Sequence, residues 1–389
     1  MMNDATAEAG RRRAVLDTYV HSYIEGLRGA LEEMDRAAIE AVSAILLDAR
    51  RHDRQVFLIG NGGSAAAASH MACDLAKGTV DRANPHFRRF RAISLTDNAA
   101  LLSAVGNDIS FDDVFVEQLR THLNPHDVVV AISASGNSPN VLAALEYARQ
   151  RGALTVGFLG FGGGRARQLV DVAVVVSSRN YGIAEDFHVI LQHIVTQHLR
   201  RVLAGGARRV LFLDRDGVIN ERPRPHAYVT RWDEFRFVDG VGLVLRTLTQ
   251  MGFSLVVVTN QQGIGKGVVD PEQLALIHRK MVESLAADGA VIEGVFTCPH
   301  LAAEGCACRK PRPGLIYRAL NELQFLVDMP GSLLVGDSDS DILAGRAAGL
   351  RTIRVGPTEA SSPGAEATHR VRGLADILPI LAADAQLIA

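Results

Sequence analysis

Short apolar runs, each ending in a turn rich in glycine, serine or asparagine and then a helical pattern, recur along the whole chain, and this rhythm limits its fold most tightly. VFLIG at 56–60 leads into NGGS, AISL at 92–95 into TDN, VVVAIS at 128–133 into ASGNSPN, and LTVGFLG at 154–160 into FGGGR. VAVVV at 172–176 closes this series before a helix that runs to about Leu203. Strands alternating with helices predict a parallel sheet covered on both faces. The rhythm pauses at Gly205, Gly206 and Ala207, then restarts with VLFLD at 210–214, LVVVTN at 255–260, VFTC at 295–298, LLVGD at 333–337 and TIRVG at 352–356. The expected fold is α/β, with two doubly wound parallel-sheet domains at residues 1–204 and 209–389 and a linker at 205–208. Ahead of the first strand, Val15, Tyr19, Ile24, Leu27, Leu31, Ile39, Val42 and Leu46 recur at helical spacing and predict two helices over 11–50. The tail after Gly356, with TEASSPGAEA, reads as loop followed by a final helix.

A chain of 389 residues suits two such domains. Its formal net charge of −2 supplies no basic field for nucleic acid. No apolar run reaches membrane-spanning length, and the segment after Arg11–Arg13 is amphipathic and charged, unlike a secretory core.

Three of the four cysteines lie in CPHLAAEGCAC, residues 298–308, together with His300. Cys298, His300, Cys306 and Cys308 form the ligand set of a closed tetrahedral zinc site, in which four protein donors leave no position for a reactive water. Such a site is structural. The basic string RKPRPG follows directly, so the loop would deliver Arg309 and Lys310 to a site. The site needs reduced thiols, which places the chain in the cytoplasm.

In open α/β sheets the ligand lies at the carboxyl ends of the strands. In the second half those ends carry Asp214 and Asp216, then Thr259 and Asn260, then Lys310 after the cysteine loop, then Asp337 with Asp339 and Asp341 close behind. This set fits phosphoryl transfer. One carboxylate can accept the phosphoryl group, a second can move the proton, magnesium can lie among the carboxylates, and lysine, threonine and asparagine can hold phosphate oxygens. In the first half the strand ends carry Asn61 and Ser64, Asp97 and Asn98, and Ser133, Ser135, Asn137 and Ser138. Hydroxyls and backbone N–H groups at a helix N-terminus suit a phosphate. His70 and Asp74, four apart, share a helical face; Glu185 and His193, eight apart, differ by about 80° around a helix and can face one cleft.

Residues 209–360, through LFLDRDGVIN, YVTRWDEFRFVDGV, VVVTNQQGIGKG, CACRKPRPG and VGDSDSDILAG, resemble the haloacid dehalogenase phosphatases, more narrowly the D,D-heptose 1,7-bisphosphate 7-phosphatases. The resemblance implies a capless Rossmann-like domain with Asp214 as nucleophile and Asp216 as general acid/base. Asp214, Asp216 (through its backbone carbonyl) and Asp337 would ligate magnesium. Thr259 and Lys310 would bind the transferring phosphate, and the cysteine loop would bind structural zinc. The five residues between His300 and Cys306 make a short loop shared with histidinol-phosphate phosphatases, the alternative for this half.

Residues 11–200, through IGNGGSAAAASHMACDL, ISLTDN, GND, AISASGNSPNVL and EDFHVILQH, resemble the sugar isomerase (SIS) domain of the phosphoheptose isomerases. The resemblance implies a flavodoxin-like domain with Asp74 as base and His193 as acid, and a zinc ion held by His70, Asp74, Glu185 and His193. The family usually has glutamate at Asp74 and glutamine at Glu185. Together the two resemblances imply a bifunctional enzyme: isomerisation of sedoheptulose 7-phosphate to D-glycero-D-manno-heptose 7-phosphate, and removal of the 7-phosphate from the 1,7-bisphosphate. No GxxxxGK[ST] string is present, so the intervening phosphorylation belongs to a separate kinase. The alternative for the first half is a sugar-phosphate-sensing module without catalysis. The family likeness and the apolar stripes of the N-terminal helices imply a homotetramer built by residues 1–204.

Overall fold

The computed structural model describes residues 2–224, 227–357 and 362–386. It divides into two compact units, residues 1–204 and 205–389.

The first unit opens with α1 (Met2–Glu32) and α2 (Arg36–Arg51); Asp35 caps α2 by accepting from the Ala38 N–H at 3.0 Å. Then follow β1 (Gln55–Ile59), α3 (Gly63–Cys73), β2 (Arg91–Ser94), α4 (Ala99–Asp108), α5 (Val116–His122), β3 (Val128–Ser133), α6 (Pro139–Gln150), β4 (Leu154–Leu159), β5 (Val172–Val175) and α7 (Tyr181–Leu203). The sheet is parallel in the order β2-β1-β3-β4-β5, the flavodoxin-like arrangement. Alternation along each strand splits the core in two. Val56, Leu58, Val130 and Phe158 face α2, α3 and α7, whereas Phe57, Ile59, Val129 and Leu159 face α5 and α6. On α1, Tyr23 donates to Asp186 of α7 at 2.7 Å, while Val15, Leu16, Tyr19, Val20 and Ile24 remain between 45% and 71% exposed.

The second unit contains β6 (Ala207–Arg208), β7 (Val210–Leu213), α8 (Val241–Gln250), β8 (Ser254–Asn260), α9 (Pro271–Ala287), β9 (Ile292–Cys298), α10 (Gly314–Glu322), β10 (Leu326–Val327), β11 (Leu333–Gly336), α11 (Asp339–Ala347), β12 (Arg351–Val355), β13 (His369–Val371) and α12 (Ile377–Gln386). Six of its strands form a parallel sheet in the order β13-β12-β11-β7-β8-β9. In chain order this is the Rossmann arrangement, and its switch point lies between β7 and β11. Asp214 and Asp337 therefore leave adjacent strands. Among the described residues, the stretch from β7 to α8 holds two isolated bridges and one short turn, Trp232–Glu234, with no inserted cap.

Three features depart from the sequence reading. The expected linker 205–208 is partly strand: β6 pairs in parallel with β10, and Arg208 lies over the Phe325 ring, 4.5 Å from its centroid. The tail holds a further strand, β13, beside β12, while residues 358–361 of TEASSPGAEA lie outside the described residues. Finally, α3 passes at Cys73 straight into a π-helical turn, Asp74–Gly78, which the α-helical spacing of His70 and Asp74 does not anticipate.

Candidate active sites

In the second unit, Asp214 follows β7 and lies against Lys310. The lysine Nζ reaches Asp214 Oδ1 at 2.8 Å and Asp341 Oδ1 at 2.6 Å, and donates to the Val258 carbonyl of β8 at 2.7 Å. All three charged groups are buried. Burial pulls the lysine pKa down, but the two carboxylates outweigh it and hold the amine charged. Burial followed by repulsion from Asp341 pushes Asp214 up to about 7 against the pull of Lys310. Asp337 rises to about 6, driven by burial; Arg222, whose Nε sits 2.7 Å away, opposes that rise. Three carboxylates, Asp214, Asp337 and Asp341, thus present ligand oxygens within 4.8 Å of one another. Asp337 Oδ1 is buried and has no hydrogen-bond partner. Crowded carboxylates with an orphaned oxygen fit a hard divalent cation. Gly217 permits the approach: its φ is +87°, and a Cβ there would stand 1.7 Å from Asp337 Oδ2.

Asp216 does not join that cluster through its carboxylate. Its oxygens accept from Arg215 (2.8–3.1 Å), Asn220 Nδ2 (2.9 Å) and Gln261 Nε2 (2.8 Å). Burial raises its pKa, but the Arg215 guanidinium and these donors outweigh burial and leave it below the usual carboxylate range. Gln261 also donates to Thr259 Oγ1 at 2.9 Å, which turns the threonine toward Asp216. Asn260 departs from its expected place among the phosphate-binding groups. Its amide exchanges two 3.1 Å hydrogen bonds with the Lys310 backbone and so holds that residue. Arg309 lies nearby, donating to the His300 carbonyl at 3.4 Å and to Gln262 at 3.3 Å. Together with Asp216, Arg222, Tyr228 and Gln262 it lines a cleft of about 260 Å³.

The cysteine loop starts where β9 pairs with Asn260. Cys298, Cys306, Cys308 and His300 Nδ1 stand 3.2–3.6 Å apart. These separations are too long for a disulfide. They approach the roughly 3.8 Å edge that four sulfurs at 2.3 Å from one ion would define.

In the first unit, His70, Asp74 and His193 converge. Asp74 Oδ2 lies 3.7 Å from His70 Nε2 and 3.8 Å from His193 Nε2, and the two imidazole nitrogens are 3.4 Å apart. The three are partly exposed and arranged as ligands around one point. The shorter aspartate side chain therefore reaches both histidines from the π-helical turn. Glu185 corrects the expected ligand set. It stands outside this cluster, its carboxylate 2.6 Å from where a Cβ of Gly63 would be. Eight residues separate it from His193 by about 80° around the helix and by roughly 12 Å along it.

The hydroxyl and amide residues frame the start of two helices. Asn61 and Asn140 exchange amide hydrogen bonds at 2.8 and 3.0 Å, tying the end of β1 to the first turn of α6. Ser133 Oγ accepts from the Gly136 N–H at 3.1 Å, and Ser135 Oγ from Asn137 N–H at 3.2 Å. Gly136, at φ +62°, lies so close to the next loop that a Cβ would stand 2.0 Å from the Gly163 carbonyl oxygen. Ser138 occupies the N-cap of α6 without making a capping hydrogen bond, so hydroxyl and helix terminus remain available to an anion. Ser64 lies buried in the first turn of α3. Asp97 accepts from Ser69 and lines a cavity of about 950 Å³ beside β2 whose walls do not include the histidine pair. His188 lies on the buried face of α7.

Sequence reasoning missed Arg215, Asn220, Gln261 and Arg222. It placed Asp341 behind Asp337 at the strand end but did not show its burial against Lys310.

These two constellations define a two-domain α/β chain in which each sheet carries its own sugar-phosphate type of site. Residues 18–160 match the SIS domain and residues 307–377 the HAD-hydrolase-like family. A phosphoheptose isomerase of Pelobacter propionicus is 37% identical over 204 residues, covering 52% of this chain and 99% of the relative. A D-glycero-beta-D-manno-heptose-1,7-bisphosphate 7-phosphatase of Yersinia pestis is 40% identical over 177 residues, covering 43% of this chain and 92% of the relative. A crystal structure of a D,D-heptose 1,7-bisphosphate phosphatase from B. bronchiseptica, complexed with magnesium and phosphate, shares 33% identity over 45% of this chain and 99% of that one, with a TM-score of 0.40. The chain belongs to the phosphoheptose isomerase family through its first half and to the heptose bisphosphate phosphatase family through its second. Among the described residues no helix is long and apolar enough to cross a membrane.

The burial of His188 has a consequence for acid stability. Burial lowers its pKa from 6.5 to about 4, so the neutral ring is favoured by folding. Its contribution is fully present above pH 6.5 and is lost as pH falls through 4, by roughly 3 kcal/mol. Urea melts of the first unit should show that loss between pH 6.5 and 4. A His188→Leu variant should lose less stability over the same range.

Proposed function

We propose that the chain is a bifunctional enzyme of heptose biosynthesis. Residues 1–204 interconvert sedoheptulose 7-phosphate and D-glycero-D-manno-heptose 7-phosphate, and residues 209–389 hydrolyse the 7-phosphate of D-glycero-D-manno-heptose 1,7-bisphosphate. The observation that carries this reading is the near full-length match of each half to an enzyme of one sugar-phosphate series, each half bearing its own strand-end site. A separate kinase supplies the phosphate at C1 between the two steps.

In the phosphatase half, the ionised Asp216 first takes the proton of the bound phosphate monoester; Asp214 then attacks phosphorus and becomes an aspartyl-phosphate while the leaving alkoxide takes that proton from Asp216. Water then attacks the aspartyl-phosphate, Asp216 takes its proton, and inorganic phosphate leaves. The charged Lys310 and the Thr259 hydroxyl hold the phosphoryl oxygens, and Arg309 faces the rest of the substrate. Magnesium, held by Asp214, Asp337 and the Asp216 carbonyl, would offset repulsion between carboxylate and phosphate. The Cys3His loop binds structural zinc and fixes the backbone that carries Arg309 and Lys310. Cys308 is only two residues from the lysine.

In the isomerase half, the substrate phosphate sits at the N-terminus of α6 with Ser133, Ser135 and Ser138. Asp74 removes the proton from the carbon next to the carbonyl, and His193 protonates the carbonyl oxygen, giving the enediol. His70, Asp74 and His193 fit a metal ion such as zinc with positions left open. Asp74 lies within 4 Å of both histidines, which favours catalysis over a purely sensing role for this half. The exposed apolar face of α1 suits a homotetramer assembled through residues 1–204, and the free thiols of the zinc loop suit the cytoplasm.

Mutation should separate the activities. Asp214→Asn should abolish phosphate release from the bisphosphate and leave ketose consumption near wild type. His193→Ala should slow isomerisation by about 10²–10⁴-fold and leave phosphate release intact. Coupled assays on the purified full chain read both, and loss of both reactions from one substitution in a folded protein would refute the two-site assignment. Cys306→Ser should lower bound zinc by one ion per chain, measured by atomic absorption, and impair only the phosphatase. Light scattering should give four times the chain mass for the whole protein and collapse toward the monomer when Val15, Tyr19 and Ile24 are replaced together by lysine.

A further inference from the structure

The groups that hold Asp216 extend one step beyond the cleft. Arg215 is completely buried, and its Nε and Nη2 both turn back onto the carboxylate of the next residue, at 3.1, 2.8 and 3.0 Å. Its remaining nitrogen, Nη1, lies 3.2 Å from Nε2 of His278, which reaches in from α9. The Phe235 ring sits beside the guanidinium, 6.0 Å from Cζ to the centroid. The fork is therefore restrained at Asp216 on one edge and at His278 on the other.

An arginine can donate to a ring nitrogen only if that nitrogen is unprotonated. Burial, and then the neighbouring Arg215 charge, push His278 down to about 3, so the ring is neutral and Nε2 accepts. Removing His278 would leave a buried Nη1 donor unpaired, and the guanidinium would be free to turn toward other acceptors. The Asp216 carboxylate would then keep only Asn220 and Gln261.

We propose that His278 is a positioning residue of the phosphatase: it fixes the Arg215 fork, and the fork aims the Asp216 carboxylate at the leaving oxygen of the substrate. This rests on the acid/base role assigned to Asp216 above. A histidine more than sixty residues downstream, on a helix that contributes nothing else to the site, is thereby tied to the proton transfer.

The test compares leaving groups. A sugar alkoxide leaves badly without a proton, whereas p-nitrophenolate leaves unaided, and kcat/KM reports the first phosphoryl transfer in both cases. His278→Leu should reduce kcat/KM for the heptose bisphosphate by about 10–100-fold, the usual effect of removing a group that orients a catalytic one. With p-nitrophenyl phosphate the same variant should stay within about threefold of wild type, because that transfer needs little acid help. His278→Gln, whose amide oxygen can accept from Nη1, should recover most of the loss. If the leucine variant does not fold, Arg215→Lys, which keeps the charge but not the fork, should show the same split. Equal losses on both substrates, or no loss on either, would overturn the proposal. A wild-type chain that hydrolyses p-nitrophenyl phosphate but not the heptose bisphosphate would instead overturn the assigned substrate. The split would then be read with another primary alkyl phosphate.

Discussion

A buried ammonium between two buried carboxylates organises the second half of this chain. Lys310 has almost no contact with water, and a charge there is tolerable only because Asp214, Asp341 and the Val258 carbonyl surround it. Each partner comes from a different element: the turn after β7, the first turn of α11 and strand β8. The switch in strand order is what brings these elements side by side. The lysine backbone is fixed in turn by Asn260 and by the cysteine loop. The strand order, the loop and the carboxylates thus all bear on the position of one nitrogen.

The candidate anion position of the first half is built from neutral groups. It is a helix terminus flanked by serines, with neighbouring loops knitted by Gly136, Asn137 and Arg165; the Arg165 N–H donates to Asn137 at 3.0 Å. The cluster of His70, Asp74 and His193 stays partly open to water. Buried charge suits a chemistry that must stabilise a phosphoryl group in flight. A partly open histidine pair suits one that moves protons to and from a sugar chain.

Both sheets were legible in the sequence because strand ends and core faces follow from local patterning. The ten strands read from apolar runs recur within one or two residues at the start and end of most of them, with β9 beginning three residues earlier. The strands that escaped are short or edge elements: β6, β10 and β13 carry two or three residues each, too few for a pattern. The charged motifs at strand ends were legible for the same reason. Groups that act through one another were not. Asn260, read as a phosphate ligand, also braces the Lys310 backbone, and Arg215 drew no reading at all. Glu185 lies outside the group that His70, Asp74 and His193 form, which angular periodicity along α7 does not reveal.

The π-helical turn at Asp74–Gly78 gives this site an unusual dependence on residue count. An ordinary α-helix would continue α3 at 100° per residue, whereas the wider turn absorbs additional arc before the chain leaves the helix. Asp74 stands at the first residue of that turn, where the direction of the side chain is set by winding as much as by its length. A one-residue deletion within 74–78 would let the helix rewind to its regular pitch, and every position after it would rotate by about a quarter turn or more. Length variation that surface loops absorb without notice would here act as a change of geometry: Asp74 keeps its place at the end of α3, and it is the chain leaving the site that is re-aimed.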